Sequence, residues 1–111
     1  MSASYEVTQA SDGQYKFVLK AGNGEVILSS ELYKAKASAM NGIASVQNNS
    51  SDDHRYERLI AKNGKPYFNL KAANHQIIGT SQLYSSESAR DKGVESVKNN
   101  GKTETIKDLT L

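Results

Sequence analysis

The 111-residue chain has no cysteine, no tryptophan, a single proline and only two phenylalanines. Without cysteine there can be no disulfide, thiolate metal site or cysteine nucleophile, and the expected compartment is the reducing cytoplasm. Long hydrophobic runs are missing too. No stretch approaches the roughly 18 apolar residues of a transmembrane helix, and the opening MSASYEVTQASDGQYK has neither the basic nor the apolar region of an export signal. Neither membrane insertion nor export is expected. Charge of one sign is also scarce: fourteen basic residues against twelve acidic ones leave a formal charge of +2, too little to define a footprint for nucleic acid or anionic lipid.

Catalytic signatures are equally sparse. There is no HExxH pattern, P-loop, dinucleotide fingerprint or Ser-His-acid order, and AGNGE at residues 21–25 is a hairpin turn. The two histidines, His54 and His75, would need carboxylates such as Asp52 or Asp53 to build a metal site, and spacing alone does not mark one. No metal and no cofactor are expected.

What is present is a repeat. Shifting the chain by 51 positions aligns residues 5–49 with 56–100 without a gap, and 18 of those 45 positions are identical, where unrelated segments match at roughly 6%. The shared residues include Tyr5/Tyr56, Glu6/Glu57, Phe17/Phe68, Leu19-Lys20-Ala21/Leu70-Lys71-Ala72, Leu32-Tyr33/Leu83-Tyr84 and Gly42/Gly93. Each half, 5–50 or 56–101, is near the lower size limit for an adequate core, so the halves are expected to share one. Two copies are too few for a solenoid, which predicts a monomer built as a closed internal pair about a pseudo-twofold axis.

Within a copy, YKFVLKA alternates with the period of a half-buried strand, Tyr15, Phe17, Leu19 and Ala21 against Lys16, Val18 and Lys20. Asp12-Gly13, Asn23-Gly24 and Asn63-Gly64 suit tight hairpins, with Asn74-His75 a weaker turn. Strands near 5–10, 15–21 and 25–29, and again near 56–61, 66–72 and 76–80, form three-stranded meanders, Pro66 sitting at a strand start or on an edge. A helical period follows, with Ala39, Ile43 and Val46, then Ala89, Gly93, Val94 and Val97, facing the sheet. Ser85 or Ser86 caps the second helix, no comparable cap stands near Lys34, and the Asn pairs at 48–49 and 99–100 suit a left-handed exit.

This combination, YKFVLKAGNGEVILSSELY followed by a helix containing NGIASVQNN, and again PYFNLKAANHQIIGTSQLY with KGVESVKNN, resembles the YegP-like family of small bacterial proteins. The resemblance covers nearly the whole chain twice. It implies an α+β fold of two tandem β(3)-α-β units that share one antiparallel sheet, pack two helices on it and exchange their C-terminal strands. Residues 51–61 and 102–109 are then the post-helix strands, and 54–61 ends one unit while beginning the next. The family brings no established reaction, ligand or catalytic residue to transfer.

Function is therefore open, and a non-catalytic module that recognises a protein or small molecule is favoured by elimination. Tyr33 and Tyr84 offer phenol groups, though a Leu-Tyr pair between strand and helix more often anchors the helix. An enzyme would place its site between the repeats, where Tyr33, Tyr84, Glu6 and Glu57 could approach one another. A weak single-strand nucleic-acid binder would use Lys16, Lys20, Lys71 and Tyr67 on the exposed strand face, a set too ordinary to carry that reading against a balanced charge.

Overall fold

A computed structural model describes residues 2–111. The elements run β1 (Ser4–Gln9), β2 (Tyr15–Lys20), β3 (Val26–Ser29), α1 (Lys36–Asn49), a 3₁₀ turn (Asp53–Arg55), β4 (Tyr56–Ile60), β5 (Pro66–Lys71), β6 (Ile77–Thr80), α2 (Glu87–Asn100) and β7 (Ile106–Asp108). One seven-stranded sheet has the order β4-β5-β6-β3-β2-β1-β7. Each meander is antiparallel, but β7 lies parallel to β1, with Tyr5 opposite Ile106 and Val7 opposite Asp108. The sheet is thus mixed, a correction to the all-antiparallel expectation. A helix lies between the third and fourth strands of a unit, so the chain returns to the sheet in the direction of the first strand it meets. The exchange of C-terminal strands holds: β7, from the second unit, covers β1 of the first, and β4 closes the first unit while pairing with β5 of the second.

The pseudo-twofold axis can be located from contacts between positions 51 apart, since only residues near the axis touch their own counterparts. Ser29 pairs with Thr80, the one residue pair that joins β3 to β6. Beneath it, a side chain at Gly79 would meet the Leu28 side chain at 2.5 Å. At the far end of the helices a Cβ on Gly101 would collide with Ser50. The sheet seam and the helix C-termini are therefore strung along one line. Both helices lie on the same face, α1 reaching β5 and β6 and α2 reaching β3. One core joins the two repeats: Tyr5, Val7, Phe17, Leu19, Leu28, Phe68 and Leu70 from the sheet meet Ile43, Val46, Val94 and Val97 from the helices. Full burial of each such side chain contributes about 1.5–3 kcal/mol.

The sheet curls far enough that Tyr5 and Tyr56, on strands separated by four others, converge on the helix ends. Tyr5 donates to the Gly101 carbonyl at 2.5 Å and Tyr56 to the Ser50 carbonyl at 2.6 Å. Burial pushes both phenols up, and for Tyr56 the neighbouring Tyr5 adds to the shift. These bonds satisfy the last carbonyls of each helix, a task the sequence pattern assigns to a left-handed asparagine. That expectation fails. Ser50 and Gly101 keep right-handed helical φ values of −63° and −65°, and Asn49 and Asn100 turn back to donate to the Ser45 and Ser96 carbonyls. At the N-termini Ser86 accepts from the Ala89 N–H, while Ala35 gives α1 no side-chain cap. On α2 the buried positions are Arg90, Gly93, Val94 and Val97, with Ala89 only half-buried. Arg90 stands where α1 has Ala39, and its guanidinium reaches Glu87 and Asp91 at the surface.

The four hairpin connections are built alike. The Asp or Asn ahead of the turn residue accepts from the backbone N–H two positions on, as Asp12 does from Gln14 and Asn23 from Glu25. Only the third loop residue takes a positive φ, which makes these three-residue loops where the dipeptides suggest two-residue turns. In the fourth loop that residue is His75 at φ 71°, a conformation that costs a side chain about 1–2 kcal/mol and glycine nothing comparable. His75→Gly is expected to stabilise the chain by about 1 kcal/mol. A thermal melt unchanged or lowered by the substitution would show that the loop is not strained.

β7 is held at its end by Asp108. The carboxylate accepts from the Thr110 hydroxyl at 2.6 Å and from Lys36 at 2.9 Å. Those bonds, with the Thr110 N–H, bring its pKa down to about 2. A depressed pKa stabilises the fold above the unfolded value of about 3.9 and ceases to do so as pH falls towards the folded value. Amide signals of residues 105–110 and of Tyr5 should therefore broaden or shift between about pH 4 and pH 2, and Lys36→Met should move that transition upward. A β7 indifferent to pH in that window would remove Asp108 from its anchoring.

Candidate functional site

The face of the sheet turned away from the helices carries the exposed candidates. Register places Glu6, Val18, Ser29, Thr80, Asn69 and Glu57 in one row across the strands on that face. Lys20 pairs with Glu6 and Lys71 with Glu57, each at 3.1 Å. The Lys71 bond, with a second from Asn69, holds Glu57 below the usual carboxylate range. Lys16 is exposed opposite Thr8, and Tyr67 is half-buried opposite Leu59. These residues do not form one platform. β2 and β5 are separated by β6 and β3, about 14 Å at ordinary strand spacing, and on an outward-curving face their side chains diverge. The two lysines nearest the centre already have anionic partners. Glu6 and Glu57, on β1 and β4, have four strands between them and are not brought together.

Tyr33 and Tyr84 lead from the third strands into the helices. Each ring stacks on a core phenylalanine, Phe17 or Phe68, at 6.3 Å and 11°. Each also fills the space over a helical glycine: a Cβ on Gly42 would meet the Tyr33 hydroxyl at 2.6 Å, and one on Gly93 would meet the Tyr84 hydroxyl. The helical glycines are thus explained by tyrosine packing, and the anchoring role fits the rings. Burial raises both phenols, with Glu31 adding to Tyr33 and Glu25 to Tyr84.

The main concavity lies on the seam. A groove of ≈ 600 Å³ follows β3 and β6 and is lined in pairs by Val26 and Ile77, Ser29 and Thr80, Glu31 and Gln82. Its size is that of ordinary ligand sites. Smaller crevices extend it at either end, one of ≈ 450 Å³ between Tyr33, Glu31 and the hairpin at His75, the other between Tyr84, Gln82 and the hairpin at Asn23. These crevices are pseudo-twofold mates, each made by a tyrosine of one repeat and a hairpin of the other. Tyr33 and Tyr84 therefore belong to opposite ends of the groove. Val26 and Ile77, 38% and 44% exposed, lie towards opposite ends of the groove, each three residues from the central Ser29–Thr80 pair, and Glu25 and Glu31 enter no ion pair among the described residues. None of these lining residues stands out by motif. Their signal in the sequence is only that they occupy matched positions in the third strands, and it acquires meaning once β3 is known to pair with β6.

The family described as "Domain of unknown function (DUF1508)" matches residues 10–57 and again 61–108. The chain belongs to the DUF1508 family. Relatives of DUF1508 type share the whole length: a UPF0339 protein of Acinetobacter baylyi is 80% identical over 99% of both chains, and UPF0339 protein YegP of Escherichia coli K12 is 58% identical over 99% of this chain and all of the other. Two solution NMR structures are closely similar. The UPF0339 protein of Shewanella oneidensis superposes with a TM-score of 0.93 at 69% identity, covering 99% of this chain and 93% of that one. YegP of E. coli superposes at 0.94 with 58% identity, covering 99% and 95%. The E. coli structure is described as that of a protein of unknown function, so the DUF1508 fold is shared and brings no activity with it. No helix among the described residues is long and apolar enough to cross a membrane.

Proposed function

We propose that the protein is a non-catalytic recognition module whose ligand lies in the seam groove between the repeats. The observation that carries this is the groove itself: the central hydroxyls of Ser29 and Thr80 are flanked by Val26 with the carboxylate of Glu25 towards one end and by Ile77 with that of Glu31 towards the other. Either end complements a ligand with a cationic amine or guanidinium group on a short apolar chain, the carboxylate selecting charge and the neighbouring apolar side chain covering the methylenes. Groups suited to chemistry support the same reading. The tyrosines are packed on helix glycines, and the strand glutamates Glu6 and Glu57 are neutralised by lysines.

Amide-resolved NMR titration tests it, with agmatine as the cationic probe and glutarate and a short single-stranded RNA as controls. Agmatine should give saturable shifts at Val26, Ser29, Ile77 and Thr80, weakened in Glu25→Gln and Glu31→Gln, with dissociation constants up to the millimolar range, about −4 kcal/mol. No response to about 10 mM, or equal response in both variants, overturns the assignment. RNA shifts confined to Lys16, Lys20, Tyr67 and Lys71 would replace it with nucleic-acid binding.

A further inference from the structure

The two ends of the seam groove draw on unlike repeats and come out alike. Glu25 and Glu31 both belong to the first repeat, and the residues 51 positions on, Gln76 and Gln82, are amides. Because β3 and β6 run antiparallel about the Ser29–Thr80 pair, each end receives one residue of each kind: Gln82 joins Glu25, and Gln76 joins Glu31. Each carboxylate lies close enough to a crevice tyrosine to help raise its phenol, Glu25 to Tyr84 and Glu31 to Tyr33. Two copies of the first repeat would crowd two carboxylates into each end, and two copies of the second would leave none. As the repeats stand, either end holds a single carboxylate and an amide oxygen, both acceptors for the three N–H donors of an ammonium group.

The middle of the groove is arranged to accept as well. The Thr80 hydroxyl donates to Asn69 Oδ1 at 2.8 Å, so only its lone pairs remain for a ligand. The bordering cations are held elsewhere: Lys20 and Lys71, opposite Val26 and Ile77 in the sheet, bond Glu6 and Glu57 at 3.1 Å. Lys92 lines the crevice beyond Glu25 and Tyr84 and bounds a cationic ligand on that side. Glu25 and Glu31 stand six residues apart along the β3 segment, which sets their Cα atoms no more than about 20 Å apart. We propose, resting on the reading of the groove as a cation site, that its ligand is a linear aliphatic polyamine lying along the seam. One terminal ammonium sits at each Glu-Gln pair, an inner ammonium lies over the central hydroxyls, and Val26 and Ile77 cover the methylenes between. A tetraamine of spermine length, about 16 Å between terminal nitrogens at ordinary bond lengths, bridges the two carboxylates, whereas a four-carbon diamine of about 6 Å reaches only one.

The test titrates the isotope-labelled full chain with spermine and with a four-carbon and a twelve-carbon α,ω-diamine. The two diamines carry the same charge, and the longer has the span of spermine, so length is separated from charge. Both long ligands should bind one per chain and about tenfold more tightly than the short one. They should move the amides of Val26 and Gln82 at one end and of Glu31 and Ile77 at the other along a single isotherm. Glu25→Gln and Glu31→Gln should each return spermine to the affinity of the short diamine, while Glu104→Gln, beside β7 and away from the groove, should change nothing. Equal affinity for the two diamines, or spermine shifts confined to one end, overturns the polyamine and leaves the single-cation reading standing. An equal loss in Glu104→Gln shows diffuse attraction to the surface and also overturns it. Silence from all three ligands and from agmatine overturns both.

Discussion

Residues 1–61 expressed alone are expected to give neither a folded monomer nor a stable dimer. The fragment keeps β1 to β4 and α1 but loses five buried core side chains, Phe68, Leu70, Ile78, Val94 and Val97. At about 1.5–3 kcal/mol each, their contribution rivals the whole net stability of about 5–15 kcal/mol typical of a domain. A dimer of first halves could imitate the pseudo-dimer, but it would bring Leu28 against Leu28 where the intact chain sets Leu28 against Gly79, and Ser50 against Ser50 where it has Gly101. The repeats have diverged into a large and a small partner at both axial contacts, so each accepts the other better than itself. Circular dichroism and sedimentation of the fragment should report an unfolded chain, and an equimolar mixture with residues 62–111 should recover native signals. A compact, cooperatively melting monomer of residues 1–61 would contradict this account.

Gly101→Ser should cost about 2–3 kcal/mol, the upper part of the range for an overpacked core, although it replaces a helix-breaking residue. Gly101 has φ −65°, which any residue adopts. The glycine is there for space, because a Cβ would collide with the Cβ and Oγ of Ser50 on the pseudo-twofold axis. The Ser50 hydroxyl is itself buried without a hydrogen-bond partner, so Ser50→Gly alone removes an unsatisfied group and should change stability little. Exchanging the two residues in the double variant should then restore the part of the loss that comes from Ser50, while the Val97 carbonyl, 2.8 Å from a Cβ at position 101, keeps the rest. Denaturant midpoints of the four proteins measure the coupling. Additive effects of the two substitutions would place the clash elsewhere.

Much of this fold was legible in the sequence because its signals are local. The alternation of Tyr15 to Ala21, the Asn-Gly turns and the period of Ala39, Ile43 and Val46 reflect side chains sorting between one face and another, and such sorting leaves a periodic trace. The asparagine exits misled because Asn49 and Asn100 bond within their own helices, and the carbonyls they were expected to relieve are met by tyrosines 96 and 6 residues away in sequence. Arg90 was missed as a buried residue for a related reason: a charge reads as exposed unless its partners at Glu87 and Asp91 are known. The groove and the open β4 edge were not legible at all. Val26, Ser29, Ile77 and Thr80 are ordinary strand residues until β3 and β6 lie side by side.

By itself, the sequence determined that two homologous units exist, what elements each contains, and that they share one core, since a duplicated 51-residue period and few apolar residues in either half are properties of composition and order. Only the tertiary structure decided where the axis runs, which counterpart residues meet on it, that β7 turns parallel to β1, and that β4 is left with a bare edge. Those outcomes depend on contacts between residues far apart in the chain. Nothing in a local window carries the energy of a contact that forms only when the sheet has closed around both helices.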